Sequence, residues 1–240
     1  MFLFFNAQLT PQSEKVIFSR EESKHITRVL RKKSGDQLQI TNGNGNLFNA
    51  KISDDNPNKC EALIENFHFF EKSNFYTHIA IAPTKNNDRL EWFLEKATEI
   101  GINEITPIIC KNSERTTIKS ERLTKIMISA MKQSVDYYLP IFNNAINFSD
   151  FIQKPSNCKK FIAHCEDSKK FSFFEMINKK ESILILIGPE GDFDSSEIEM
   201  AKENGFKPVT LGNKRLRTET AAIVATHTIS LKNEKLLCCN

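Results

Sequence analysis

The six cysteines, at 60, 110, 158, 165, 238 and 239, include no C-x-x-C pair and have no histidine at zinc-partner spacing. A structural zinc site is therefore not expected, and the thiols read as reduced packing residues. Long apolar runs are also missing: none approaches the roughly 20 residues that span a bilayer. The opening MFLFFNAQLTPQ lacks a basic n-region and a small-residue cleavage site, so it does not read as a signal peptide. A soluble, cytoplasmic protein with no membrane association is the expectation. Charge of one sign is not in excess, because 33 basic side chains face 30 acidic ones for a net +3. Any attraction to polyanions must come from local clustering. No loop ends in the G-K-S/T of a triphosphate site, and no nucleophile elbow precedes a Ser/His/Asp order, which disfavours a nucleoside triphosphatase and a serine hydrolase. Internal repeats and low-complexity tracts are absent.

What is present divides by pattern. The 240 residues suffice for one full core plus a smaller module. Up to about residue 70, short apolar or alternating runs at Phe2 to Phe5, Val16 to Phe18, Gln37 to Ile40, Leu47 to Ile52 and Glu61 to Phe67 predict a small antiparallel sheet or barrel. The N-G-N-G-N stretch at Asn42 to Asn46 lies between two of these runs and lacks a third glycine, so a hairpin turn is preferred over a phosphate loop. From about Phe75, strands alternate with helices, the signature of a parallel α/β sheet. These patterns predict domains at 1–72 and 73–240.

In the second part, His78 to Ala82 reads as a strand. It leads into a helix with Leu90, Phe93, Leu94, Ala97 and Ile100 at helical spacing, stopped by Gly101. Ile105 to Cys110 returns to strand, and a second helix is expected from about Ser120 to Tyr138. Phe161 to His164 is a short strand. Ile183 to Ile187 is an unbroken aliphatic run of the kind buried on both faces, hence the expected central strand. Asp194 with Glu197 predicts a capped helix that Gly205 closes. Pro208 to Leu211 is the last strand and Thr218 to Leu231 the last helix.

Ligands of open α/β sheets collect beyond the carboxyl ends of the strands. Two loops there stand out: Gly188 to Phe193 after the central strand, and Gly212 to Arg217 after the last one. Glycines after strands are common structural turns, but two such loops together favour a site. Side-chain-poor Gly188-Pro189 offers a wall that a flat ligand could approach closely. Five cations, Lys24, Arg28, Arg31, Lys32 and Lys33, fall in a stretch with no acid, which is either a solvated face or an anion-docking surface. Lys111, Arg115 and Lys119 form a second, looser group, and Lys96 with Glu99 reads as a helix-surface pair.

The strings IGPEGDF and LGNKRLRTETAA resemble the C-terminal signature of the RsmE family, ribosomal RNA uridine-N3 methyltransferases of the SPOUT superfamily. The resemblance extends to KNNDRLEWFLEKATEIGINEITPI, Ser113 to Arg115, Gln133-Ser134 and His25 to Arg31, and so covers nearly the whole chain. It implies a PUA-like β-barrel followed by an α/β domain with a parallel sheet and a C-terminal trefoil knot. It also implies a homodimer, S-adenosylmethionine as cofactor with no metal, and a uridine in 16S rRNA near the decoding region of the small subunit, or of a late assembly intermediate, as substrate. The residues it assigns to the cofactor are Ile187, Gly188, Pro189, Gly191, Leu211, Gly212, Leu216, Thr220 and Ala221. By the same resemblance Lys24, Arg28, Arg31, Lys32, Lys33 and Arg115 contact RNA. Uracil N3 carries a proton at neutral pH, so the site must stabilise an anionic ring. Arg217 is the candidate for that stabilisation, against a structural or RNA-phosphate contact. Glu219 is a candidate base, although an acid in the first turn of a helix is also favoured by the helix dipole. Glu190 reads more readily as an acceptor that braces its own loop. One departure is Asp192, where many relatives carry glycine.

Overall fold

The computed structural model describes residues 2–166 and 169–233; Cys238 and Cys239 lie outside the described residues. The chain folds as two units, Met1–Lys72 with Met131–Leu139, and Ser73–Ala130 with Pro140–Asn240.

The first unit holds five strands: β1 (Leu3–Phe5), β2 (Lys15–Ile17), β3 (Gln37–Thr41), β4 (Asn46–Asp54) and β5 (Glu61–Phe69). They lie in the order β1-β3-β4-β5-β2. The pairing is antiparallel except for β1 with β3, which run parallel. An all-antiparallel reading fails there because the chain covers residues 6–36 between the two strands, enough for a crossover rather than a hairpin. That crossover contains a helix the strand pattern concealed, α1 (Arg20–Lys24), capped by the Ser19 hydroxyl accepting from the Glu22 amide. It continues into a π-helical turn, His25–Val29, that ends at Arg31 with φ of 55°. Phe4, Ile26, Ile40, Phe48, Ala50 and Ile52 fill the core of the unit.

The Asn42 to Asn46 stretch is the β3–β4 hairpin turn. The Asn42 carboxamide oxygen accepts from the Asn44 and Asn46 amides, and the segment 131–139 lies against the turn. A Cβ on Gly45 would sit 2.3 Å from the Tyr138 hydroxyl, so glycine is required there by packing.

The second unit is built on parallel strands: β6 (Thr77–Ile81), β7 (Glu104–Ile109), β8 (Ile141–Phe142), β9 (Ile146–Asn147), β10 (Lys159–Ala163), β11 (Phe171–Ser172), β12 (Ile183–Ile187) and β13 (Lys207–Thr210). The order is β11-β13-β10-β12-β6-β7-β8, with β9 also on β7. As its composition predicts, β12 is central, and all five of its residues are buried. Leu184 and Leu186 face a cluster with Phe148, Phe151, Ile198 and Phe206. On the other side, the helices α2 (Asn87–Ile100) and α7 (Thr218–Asn233) pack together, and α7 lies on β6 and β12. Full burial of such aliphatic side chains contributes about 1.5–3 kcal/mol each.

Gly101 ends α2 in a left-handed conformation. The helix α3 (Ser120–Ser134) is shorter than its apolar stripe suggested, because Val135 adopts φ of 57° and breaks it before Tyr138. Two short helices, α4 (Phe148–Ile152) and α5 (Phe173–Met176), are too brief to show a period in sequence. The Asp194–Glu197 capping box opens α6 (Ser195–Glu203) as expected. Among the described residues no helix is long and apolar enough to cross a membrane.

Candidate active site

In the second unit the chain runs outward from β6 through β7 to β8, and then returns to the opposite side of β12 with β10 and β13. Such a reversal opens a crevice at the carboxyl ends of the strands. A cleft lies there, formed by two adjoining cavities of about 510 and about 280 Å³. Ala163, Cys165, Arg215, Leu216 and Ala221 line both. The larger adds Leu211, Gly212, His164 and Lys170, and the smaller adds Ile187, Gly188, Pro189, Glu190, Arg217 and Thr218. The structure thus gathers seven of the nine expected cofactor residues. Gly191 and Thr220 line neither cavity.

Several hydrogen bonds bring the two loops together. The Thr218 hydroxyl donates to the Gly188 carbonyl at 3.0 Å, and the Arg215 guanidinium donates to the Glu190 carbonyl at 3.4 Å. The Glu190 carboxylate accepts from the Lys85 amide at 3.0 Å, so it braces the first loop against the connection following β6. Gly188 faces the ring of Phe193: a Cβ would lie 3.0 Å from it. Its small size therefore serves the loop's own packing as well as the cavity wall. Gly212 has open space around it but a φ of 145°, so its constraint is conformational.

Asp192 settles the departure noted in the sequence. It adopts φ of 65°, a left-handed conformation that glycine enters freely and aspartate tolerates better than most residues. Its carboxylate accepts from the Cys165 amide at 2.6 Å and from the Phe193 amide at 2.9 Å. The loop after β12 is thereby tied to the end of β10, a link that glycine could not make. Burial and the neighbouring Asp192 charge both raise the Cys165 thiol pKa. Further out, Lys111 pairs with Asp194 at 2.8 Å, and that bond with the Ser196 contacts lowers the Asp194 carboxyl to about 2.

Arg217 is exposed on the wall of the smaller cavity; its carbonyl accepts from the Ala221 amide at 2.7 Å, while its guanidinium has no hydrogen bond or ion pair among the described residues. Glu219 is 5% exposed and lines neither cavity. One of its carboxylate oxygens is 3.8 Å from the Arg89 guanidinium, and the other has no partner among the described residues. Arg89 lies within the KNNDRLEWFLEK string that carries the resemblance, but no role was assigned to it because an arginine in the first turns of a helix reads as a surface residue. His164, just after β10, also went unassigned: it is buried, and neither ring nitrogen has a partner among the described residues. No group of three potential metal ligands occurs among the described residues.

The basic stretch belongs to the first unit. Arg28, Arg31 and Lys33 are exposed, Lys24 is half-buried on α1, and the Lys32 ammonium donates to the Gln37 carbonyl at 2.9 Å. Arg115 lies in the second unit, its guanidinium turned onto the Thr117 carbonyl at 2.9 Å. The Lys96–Glu99 pair forms at 3.0 Å on α2.

A parallel sheet with a cleft of this kind, preceded by a small β unit, defines a class that comparison with known proteins identifies. Residues 71–230 match the family described as RNA methyltransferase domain, and residues 18–65 match RNA methyltransferase PUA domain. A ribosomal RNA small subunit methyltransferase E from Buchnera aphidicola is 31% identical, with 87% of this chain and 85% of that protein covered. The crystal structure of a probable rRNA-methyltransferase from Porphyromonas gingivalis superposes with a TM-score of 0.90 at 39% identity, covering 97% of this chain and 98% of that one. A ribosomal RNA small subunit methyltransferase E from Neisseria gonorrhoeae, bound to S-adenosyl methionine, gives 0.83 at 25% identity, covering 97% and 98%. The chain belongs to the ribosomal RNA small subunit methyltransferase E family.

Proposed function

We propose that the protein transfers a methyl group from S-adenosylmethionine to N3 of a uridine in 16S rRNA, near the decoding region of the small subunit. The observation that carries this reading is the cleft itself: two loops from separate strands are hydrogen-bonded into one site, with an arginine on its wall whose guanidinium has no partner among the described residues. Family membership supports the choice of cofactor, and so does the fit. The two cavities together are of cofactor size, and the buried His164 on the wall of one of them has ring nitrogens without a partner among the described residues.

Backbone around Ile187, Gly188, Leu211, Gly212 and Leu216 encloses the cofactor, with Pro189 and Ala221 as apolar walls. When bound, S-adenosylmethionine supplies an electrophilic methyl group on a sulfonium. In-line displacement depends on alignment, which the loop-to-loop bonds fix before substrate arrives. Arg217 donates to a uracil carbonyl oxygen as the N3 proton passes to solvent water in the open cleft, so that the negative charge left on the ring develops against a cation. Glu219 anchors the start of α7 through Arg89 and thereby sets where Arg217 stands.

The first unit docks RNA through Arg28, Arg31, Lys33 and their neighbours. The protein acts in the cytoplasm as a homodimer, with its C-terminal segment threaded as a trefoil knot. These three features are carried over from the family. Mass-spectrometric mapping of modified nucleosides in ribosomal RNA from cells with and without the gene tests the reading. A 3-methyluridine in 16S rRNA that disappears with the gene is expected. Loss of a transfer-RNA methylation instead, or no change at all, would reject it.

A further inference from the structure

His164 follows the last residue of β10 and lines the larger cavity of the cleft. It is 6% exposed, and among the described residues neither ring nitrogen has a hydrogen-bond partner. A neutral imidazole always carries one donor and one acceptor, and leaving such groups buried and unpaired is costly enough that native proteins rarely do it without a reason. The neighbouring charges do not supply that reason: Lys170, Asp192, Glu166 and Lys202 act on the ring through space, and burial is the main influence, lowering its pKa. The ring is thus uncharged near neutral pH. The χ2 torsion of histidine is broad, so a turn of the ring presents a nitrogen to a molecule entering the cavity.

We infer that His164 is a cofactor-binding residue that pairs with a ribose hydroxyl of the adenosyl group. This rests on the cofactor reading above. A hydroxyl both donates and accepts, so it matches whichever nitrogen the uncharged ring turns toward it. The cationic neighbours Lys170, Lys214 and Arg215 on the same wall are better suited to the carboxylate end of the cofactor.

The test uses the full chain and two probes, S-adenosylhomocysteine and 5′-methylthioadenosine, the latter keeping the ribose but lacking the amino-acid end. His164→Phe keeps a ring of similar size and removes both nitrogens. Without ligand its melting temperature should match or exceed that of the wild type, because an unsatisfied polar group has been removed. Its Kd for both probes should rise roughly tenfold, the scale of one lost hydrogen bond, and His164→Asn should recover part of the loss. In the wild type, the His164 ring nitrogen resonances should shift when S-adenosylhomocysteine is added. Unchanged Kd values, or unmoved ring resonances at saturation, would overturn the assignment. A loss confined to S-adenosylhomocysteine would overturn the ribose contact. A fall in melting temperature with no change in affinity would show a purely structural histidine. If the folded wild type binds neither probe, the cofactor reading itself falls.

Discussion

The two ends of the parallel sheet in the second unit use polar side chains in opposite ways. At the amino ends of β6 and β7, a cavity of about 540 Å³ is lined by His78, Glu104, Thr106 and Asn143. There the Tyr76 hydroxyl and the Asn143 amide donate to Glu104 at 2.9 and 2.6 Å, and His78 meets Thr106 at 2.8 Å. The cluster satisfies itself. At the carboxyl ends, about the length of a strand away, the Arg217 guanidinium and both His164 ring nitrogens, on the cavity walls, have no partner among the described residues. Polar cavities at the two ends of one sheet therefore carry different meanings. A closed network fixes the packing of strand ends, whereas polar groups left open are reserved for something that arrives.

The largest expected effect that would sharpen this contrast comes from Arg217. Arg217→Ala should reduce the single-turnover methylation rate by on the order of 100-fold, as for one lost oxyanion donor. Arg217→Lys should recover only part, because an ammonium keeps the charge but not the planar fork. A normal rate at saturating RNA would make Arg217 a binding residue only. At the other end, Glu104→Ala removes the acceptor shared by Tyr76 and Asn143 and should cost about 1–3 kcal/mol of stability in denaturant unfolding. Cofactor affinity should not change; a parallel loss of affinity would mean that the two ends are not separate in role.

A smaller effect separates cofactor handling from RNA docking. Replacing Arg28, Arg31 and Lys32 together with alanine should weaken RNA binding and flatten its logarithmic salt dependence by up to about 2, given roughly 0.7 per lost single-strand phosphate contact. Affinity for S-adenosylhomocysteine should stay as it was. An unchanged salt slope would leave the cluster a solvated face.

The smallest effect is in the pH dependence of stability. Burial lowers the pKa of both His78 and His164 from an ordinary value near 6.5, so the unfolded chain takes up protons before the folded one. Their contribution to stability is complete above about pH 6.5 and is lost as pH falls from there toward the folded values. Urea midpoints should decline over that window, and the decline should be shallower in His164→Phe. An identical profile in the variant would show that His164 does not titrate as its burial requires.

How much of this could be read from sequence follows from what each feature depends on. The aliphatic run at Ile183 to Ile187 marked the central strand because a strand buried on both faces must be apolar throughout. The capping box of α6 was legible because it is a local pattern. The two loops were found through their glycines, although the structure gives Gly188 a packing reason in Phe193 that no local pattern contains. Arg89 and His164 were missed because their significance lies in contacts made or not made across the fold: Arg89 is distant in sequence from Glu219, and an unpaired imidazole cannot be recognised without its surroundings. The parallel pairing of β1 with β3 and the short α1 were hidden for the same reason, since apolar alternation specifies a strand but not its partner.

Hydrogen–deuterium exchange of the full chain, with and without saturating S-adenosylhomocysteine, tests the central contrast most directly. Protection should be confined to the carboxyl-end loops, residues 187–193 and 211–221, together with the end of β10, while the amides around Tyr76, Glu104 and Asn143 exchange at unchanged rates. Protection centred on the amino-end cavity, or no protection anywhere in well-folded protein, would contradict the assignment of the active site.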